Sequence, residues 1–475
     1  MHKFTQISDM PSMVYVSPKM IDDRVEASYY RKQYLDVDEK IVTFNNGFMY
    51  LKNLCTKITD GTHKTPDYKP EGIKFITAKN ILEDGIDFED VKYISKDEHN
   101  EISKRCKVEP GDMLFTKVGR IGYAKVVPAN VPNFSIFVSV ALLKLKGNVD
   151  SRFIEAFLNS KYGRIQSERL VKGSNQPDFH LEDIAEIKVP IPSPEIQKYI
   201  GDKVKKAEEL REEAKRLKKE AEEIFFNEIN IVSIDNAFKK EQHIKFNWIN
   251  IDELDVNRID AEYNRRKYTI LVKLLIDNNI TLIPISNLLE EPIVSGSTPK
   301  GGNYIENGIP FVRATNLCEY SIDDNLVYIS KEESDKLKNS EIRSGDVVFS
   351  IAGSIGVASI IPSYIEKANI NQALVRLRLN NINKYYFVFV VNSSIGRLLS
   401  LRLANGAVQL NLNREEVGNI MVPRINDNKE EIIANKIKLY IELLYQSKQL
   451  IQEAKQDVED LIEGNFDMSK VKANN

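Results

Sequence analysis

The 475-residue chain holds 42% hydrophobic and 28% charged residues, ordinary values for a globular protein with a sizeable core, and no apolar run approaches the roughly 18 residues that span a membrane. MHKFTQISDM at the start lacks the apolar region of a signal peptide, while Cys55, Cys106 and Cys318 form no CxxC pair, so a disulfide framework or zinc cluster is excluded and a reducing cytoplasm is expected. A net charge of −3 does not announce a nucleic-acid binder, so any DNA contact must come from local cations or from partner subunits.

In chain order, residues 1 to 50 give a short extended entry and a helix-compatible segment from Ala27 to Leu35. The counterpart, FNWINIDELDVNRIDAEY, lies within 244 to 285, with Trp248 as a packing anchor. KFITA (74 to 78), VKYIS (91 to 95), DMLFTKV (112 to 118) and SVALLKL (139 to 145) alternate as strands do. PFVRA, LVYIS, DVVFSIA and QALVRLRL are their equivalents further on. The correspondence is most visible in GDMLFTKVGRIG at 111 to 122 and GDVVFSIAGSIG at 345 to 356. GIKFITAKN answers GIPFVRATN, RVEASYY answers RIDAEYN, and NSKYGR answers NSSIGR at nearly the same offset, so the protein is two copies of one unit. The repeat also settles YYFVFVV at 385 to 391: its counterpart FIEAFLNSKYGRIQ has helical spacing, so both are expected to be helices.

Beyond Pro190 and Pro192 the composition changes. From Glu195 to about Glu228, Ile200, Val204, Ala207, Leu210, Ala214, Leu217, Ala221 and Ile224 fall at three- and four-residue steps among Lys, Arg and Glu. Ile433, Ile437, Tyr440, Leu443, Ser447, Leu450, Ala454, Val458 and Leu461 repeat the pattern in a helix from about Lys429 to Glu463. The fold class expected is α+β: a tandem duplication of a mixed α/β domain followed by a long helix, the two helices pairing as an antiparallel coiled coil. Connectivity sets the direction, because the second domain begins soon after the first helix ends, which puts it at that helix's far end. The expected boundaries are 1–193 for the first domain, 194–230 for its helix, 231–427 for the second domain and 428–475 for the second helix and tail. A 35-residue helix is about 50 Å long, or roughly 15 base pairs of duplex.

Catalytic tools are missing. No Gly-x-Gly-x-x-Gly follows a strand, and GSTPKGG has Gly302 where a phosphate loop needs lysine. No Pro-Pro dipeptide exists, so the Asn/Asp-Pro-Pro-aromatic motif of amino-methyltransferases is absent. Asp178, Glu186 and Lys188 imitate a nuclease set, but the second copy has Asn411, Asn419 and Met421 there. His63 beside Lys64 reads as a hydrogen-bonding residue in a polar turn rather than a catalyst. What remains is glycine-rich, polar and cationic loops at equivalent places: TDGTHKTP, TAKN, KVGR and KGSNQPD in the first copy, SGSTPKGG, RATN, AGSIG and NGAVQLN in the second. Arg, Lys, Asn and Gln suit base edges, and Ser, Thr and glycine N–H groups suit phosphates. The loops differ while the framework agrees, as expected of two readers of different half-sites.

With DGTHKTP…GIKFITAKNI, GDMLFTKVGRIG and GSNQPDF…VPIPSPEIQ, then GSTPKGG…GIPFVRATNL, GDVVFSIAGSIG and GAVQLNL…VP, nearly the whole chain resembles the specificity subunit of a type I restriction-modification enzyme. That resemblance implies a non-catalytic, DNA-binding subunit with two target-recognition domains, joined to two DNA methyltransferase subunits and, in the larger complex, to restriction subunits. S-adenosylmethionine, ATP and Mg are then expected in the partners and no cofactor or metal on this chain. It also implies a bipartite target whose spacer the helices set. The Pro-Pro and Glu-Gln pair common in the family is only approximated by Pro192-Ser193-Pro194-Glu195-Ile196-Gln197, and Pro423-Arg424-Ile425-Asn426 departs from it. Alternatives are the specificity subunit of another bipartite restriction system, a scaffold that reads no DNA, or a single-chain nuclease or methyltransferase. Expected DNA contacts are Lys64, Lys79, Lys117, Arg120 and Lys172, with Asn80, Asn175 and Gln176 as base readers. Lys300, Arg313, Asn316, Ser354, Gln409 and Asn411 play the analogous parts in the second copy.

Overall fold

Every strand segment expected from alternation is a strand, and the repeat is a repeat of structure. The computed structural model describes residues 14–17, 21, 24–172, 178–241, 249, 251, 258–406 and 410–472. Trp248, Asn175, Gln176 and Gln409, and the side chain of Lys300, lie outside the described residues. The chain divides into two units, Met1–Arg211 with Tyr445–Asn475, and Glu212–Leu444.

In the first unit the strands are β1 (Phe48–Tyr50), β2 (Cys55–Asp60), β3 (Ile73–Ile76), β4 (Lys92–Ile94), β5 (Met113–Thr116), β6 (Ala124–Val126), β7 (Phe134–Ile136), β8 (Val140–Leu145) and β9 (Lys188–Pro190). They form a four-stranded sheet ordered β2-β8-β5-β6, a three-stranded sheet ordered β4-β3-β7, and the pair β1-β9. All neighbours are antiparallel except β3 and β7. The second unit repeats this with β10 (Thr281–Pro284), β11 (Val294–Ser295), β12 (Ile309–Val312), β13 (Val327–Ile329), β14 (Glu341–Arg343), β15 (Val347–Ser350), β16 (Ala358–Ile360), β17 (Lys367–Ile370), β18 (Leu374–Leu377) and β19 (Met421–Arg424). Its sheets run β11-β18-β15-β16 and β13-β12-β17-β14, with β10 paired to β19.

The central strands are buried on both faces, and period-two alternation sorts their side chains between two cores. Met113 and Phe115 of β5 pack with Phe153 and Phe157 of the helix Ser151–Asn159, whereas Leu114 points into a second core with Ile76 and Ile136. In the second unit Val347 and Phe349 join the helix-side core and Val348 the inter-sheet core. The helix Lys384–Asn392 contains YYFVFVV, and Tyr386 through Asn392 are all buried. A helix covered on every side needs no polar face. Its strand-like composition therefore carried no information about its period.

Two long helices, Pro194–Glu228 and Asp427–Glu463, complete the fold. They pair antiparallel in each unit. In the first, Ser447 donates to the carbonyl of Ala207 at 2.8 Å, and Lys203 meets Glu453 at 3.1 Å and Asp457 at 2.6 Å. In the second, Lys436 meets Glu220 and Lys429 meets Glu228, each at 2.5 Å. Numbers rise along one helix as they fall along the other. Ala207, Ala214, Ala221 and Ala454 are fully buried. These small seam residues let the backbones approach. The units do not end where the helices begin. Ile200, Val204, Ile451, Ala454 and Val458 belong to the first unit's core, and Phe225, Ile433 and Ile437 to the second's. Arg211 is a buried seam position that the apolar pattern did not mark, with its Nε donating to the Ala207 carbonyl at 3.2 Å.

Candidate nucleic-acid interface

The twice-occurring GD…GxIG segment is a strand with two tight turns, and the recurrent residues around it hold it in place. Asp112 accepts the Glu109 N–H at 2.8 Å and the Lys144 ammonium at 2.7 Å; Asp346 accepts the Arg343 N–H at 2.9 Å and Arg378 Nε at 2.8 Å. Lys107 and Lys144 also hold the Glu109 carboxyl down at about 2. The aspartate of the motif is thus a turn brace. Gly122 and Gly356 adopt φ of 79° and 81°, and a Cβ there would lie 3.0 Å from Ser167 and 3.2 Å from Ser400. A side chain would meet both the left-handed backbone penalty and the neighbouring helix.

NSKYGR and NSSIGR explain themselves in the same way. Asn159 accepts from the Ala124 N–H at 3.1 Å and donates to its carbonyl at 2.8 Å, and Asn392 treats Ala358 alike at 3.0 and 2.8 Å. Arg164 Nη1 donates to the Ile121 carbonyl at 2.6 Å, and Arg397 Nη1 to that of Ile355 at 3.0 Å. These groups fasten the turn to the helices behind it. Its tip is left outward.

Three loops of the first unit, and Lys172 and Asp178 at the described ends of a fourth, meet beside that tip. Ser139 joins two of them: its carbonyl accepts the Lys117 N–H at 3.0 Å and its Oγ the Ala78 N–H at 3.1 Å. Val118 and Lys172 each bridge to Asp178, and Lys117 Nζ lies 3.6 Å from both Asp60 and Asp178. The second unit has the same junction: Ala352 and Asn405 bridge to Asn411, and the Ile351 N–H bonds Ala373 at 2.9 Å. Gly61 and Gly296 cross the second sheet so closely that a Cβ would lie 2.0 Å from the Ile136 carbonyl oxygen and 2.1 Å from that of Asn371. Only glycine admits this crossing.

The expected contact residues fall into three groups. Lys64, Arg120 and Ser354 are exposed at loop tips, with the Arg120 guanidinium 4.4 Å over the Tyr123 ring and Arg164 at 4.1 Å from the same ring. Lys79 and Lys172 are exposed but matched by Asp90 at 3.1 Å and Asp183 at 3.0 Å, and Arg313 is half-buried with its Nε 3.3 Å from Asn316. Lys117, Asn80 and Asn316 are buried. The two asparagines require correction as base readers. Asn80 Oδ1 takes the Thr77 N–H and its Nδ2 gives to Asp90, while Asn316 does the same with Arg313 and Asn325. Turn closure, shared by both copies, is the reason they recur. Asn411 is exposed, with its Oδ1 on the Leu412 N–H.

The nuclease-like set is dispersed: Lys188 pairs with Asp38 at 2.6 Å, Glu186 with Lys52 at 2.5 Å, and Asp178 with Lys117. Among the described residues no cluster of His, Cys, Asp and Glu is arranged to hold a metal, and no helix is long and apolar enough to cross a membrane. Sequence reasoning missed Arg105 and Asp60, and the recurrence of Arg164 in NSxxGR was the available signal for that residue.

The model of the type I restriction modification DNA specificity domain matches residues 45–223, which take in all four of these loops. Residues 45–223 thus carry a type I restriction-modification DNA specificity domain. Structures similar to this chain include the type I restriction-modification S subunit from M. genitalium, 16% identical, covering 89% of this chain and 97% of that one at a TM-score of 0.44. The HsdS subunit from Thermoanaerobacter tengcongensis is 13% identical, with 88% and 97% covered and a TM-score of 0.28. A chain from a structure of type I restriction-modification complex assembly and conformational transition is 12% identical, with 88% and 98% covered and a TM-score of 0.29. No curated protein matches the chain.

Proposed function

We propose that this DNA-specificity subunit reads a bipartite target, one half with each unit, while the long helices fix the gap between the halves and dock two methyltransferase subunits. The observation that carries this is one framework built twice with different side chains at and beneath its loop tips: Lys117, Arg120, Tyr123 and Asp178 in one, Ile351, Ser354, Val357 and Asn411 in the other. Braces that match and tips that differ are what two readers of different sequences need. Each long helix contributes to both units. Specificity then arises as a product of half-site energies, each good base contact contributing about 1–3 kcal/mol.

The chain itself performs no chemistry. Methylation with S-adenosylmethionine, and ATP- and Mg-dependent restriction, belong to the partner subunits, whose surfaces also supply phosphate contacts that a net charge of −3 does not. The test is a map of methylated bases in cells with and without this chain, its methyltransferase present in both. Loss of a motif with two short halves around a fixed gap supports the reading. An unchanged methylome in an active system moves the assignment to a scaffold.

A further inference from the structure

Where its loops meet, the first unit holds a charge centre that has no counterpart among the described residues of the second. Asp60 closes β2 with its side chain 4% exposed, and three cations and potential cations converge on it. His63 Nε2 is 3.2 Å from both of its oxygens, Lys117 Nζ is 3.6 Å away, and Arg105 Nη1 donates to Oδ1 at 3.1 Å. At the corresponding places the second unit has Ser295 and Ile351.

Arg105 stands out within this set. It ends the helix Lys96–Arg105, its side chain is 52% exposed, and yet its guanidinium is held at three points: Thr59 Oγ1 at 3.1 Å, Asp60 Oδ1, and the Gly61 carbonyl. An exposed arginine is ordinarily a mobile one, and ordering its side chain costs rotamer entropy. Here that cost is met on folding. Among the described residues Nε has no hydrogen-bond partner and one Nη2 proton remains, so donors are left over for a ligand.

We infer that Arg105, oriented by Asp60, is a base-reading residue of the first unit and that it reads guanine. This rests on the proposal that the first unit reads one half-site. A guanidinium offers donors alone, and in the major groove guanine is the base that presents two adjacent acceptors, N7 and O6. Phosphate oxygens also accept, but they occur at every nucleotide and tolerate a mobile cation. Fixed orientation against a buried carboxylate serves a contact whose geometry discriminates. Asp60 is a positioning residue in this arrangement, and residue 61 must be glycine for its own carbonyl to lie where Arg105 finds it.

The experiment maps methylation in cells carrying the full system with Arg105→Lys, Arg105→Ala or Asp60→Asn in this chain. A wild-type split motif establishes that the half-site reading stands; its absence overturns that reading and this inference together. With the split motif present, Arg105→Lys keeps the charge but loses the fork. It is expected to relax one guanine position in one half by ~5- to 150-fold, the other half remaining intact. Arg105→Ala gives the same relaxation with weaker binding, and Asp60→Asn relaxes the same position. An unchanged motif, a uniform loss of methylation with no relaxed position, or a first half without guanine on either strand overturns the guanine assignment while leaving the half-site reading in place. Arg105→Lys decides alone if Asp60→Asn fails to fold, since Arg105 is exposed.

Discussion

Ser447 Oγ donates a hydrogen bond to the carbonyl oxygen of Ala207 at 2.8 Å, joining residues 240 apart in sequence at the buried seam of the long helices. Both are within 2% of complete burial. A larger side chain at Ala207 forces the helices apart and breaks this bond. Ala207→Leu is expected to destabilise by about 1–3 kcal/mol, and Ser447→Ala by about 1 kcal/mol. Urea unfolding with an unchanged slope is the measurement.

Lys125 and Glu155 form an ion pair at 2.6 Å with side chains 3% and 2% exposed, and Glu155 also accepts the Val126 N–H at 2.8 Å. Removing one charge strands the other away from water. Glu155→Leu is expected to cost about 3–5 kcal/mol, and Lys125→Met with Glu155→Leu to recover a large part of it. A double-mutant cycle by denaturant unfolding reads both numbers.

Asn392 satisfies both backbone groups of Ala358, and Asn159 both of Ala124. Asn392→Ala leaves a buried donor and acceptor unpaired, costing about 1–3 kcal/mol each, and loosens the turn ahead of Ser354. Binding of duplexes with one half scrambled should show the second half weakened by Asn392→Ala and the first by Asn159→Ala.

Lys64 and Arg120 are exposed at loop tips of the first unit. Contacts to phosphate lower affinity and salt dependence together without touching sequence preference. Lys64→Ala in the assembled complex is expected to flatten the plot of log affinity against log salt by about 1. An altered methylation motif in this variant contradicts this assignment.

Burial pushes the Cys55 thiol up from 9.0 to about 12 and the Cys106 thiol to about 11, whereas Cys318 is exposed. A raised pKa means less thiolate at any pH below it, and the thiolate is the nucleophile. Alkylation of the native protein at pH 8 should mark Cys318 first, as peptide mass mapping would report.

Some of the site could be read in the chain and some could not, for reasons visible in single residues. Arg120 and Ser354 sit between recurrent glycines, so their place at a tip follows from a pattern. Asn80 and Asn316 recur too, and recurrence looked like function. It came from turn closure, because a two-copy comparison shows which residues repeat and not which way they point. Arg105 carried no signal at all, since its partners Thr59, Asp60 and Gly61 come from a strand far away in sequence.

The sequence by itself determined the duplication, the alternation that makes the strands, the apolar seam of the long helices and their antiparallel sense, because these are periodic or follow from connectivity. Tertiary structure decided what periodicity cannot express. It folded the two ends of each long helix into different cores, buried Lys117 between two carboxylates, and fixed an exposed arginine against Asp60. Such contacts depend on which loops meet across the sheets, and glycines such as Gly61 and Gly296 permit that meeting by having no side chain to prevent it.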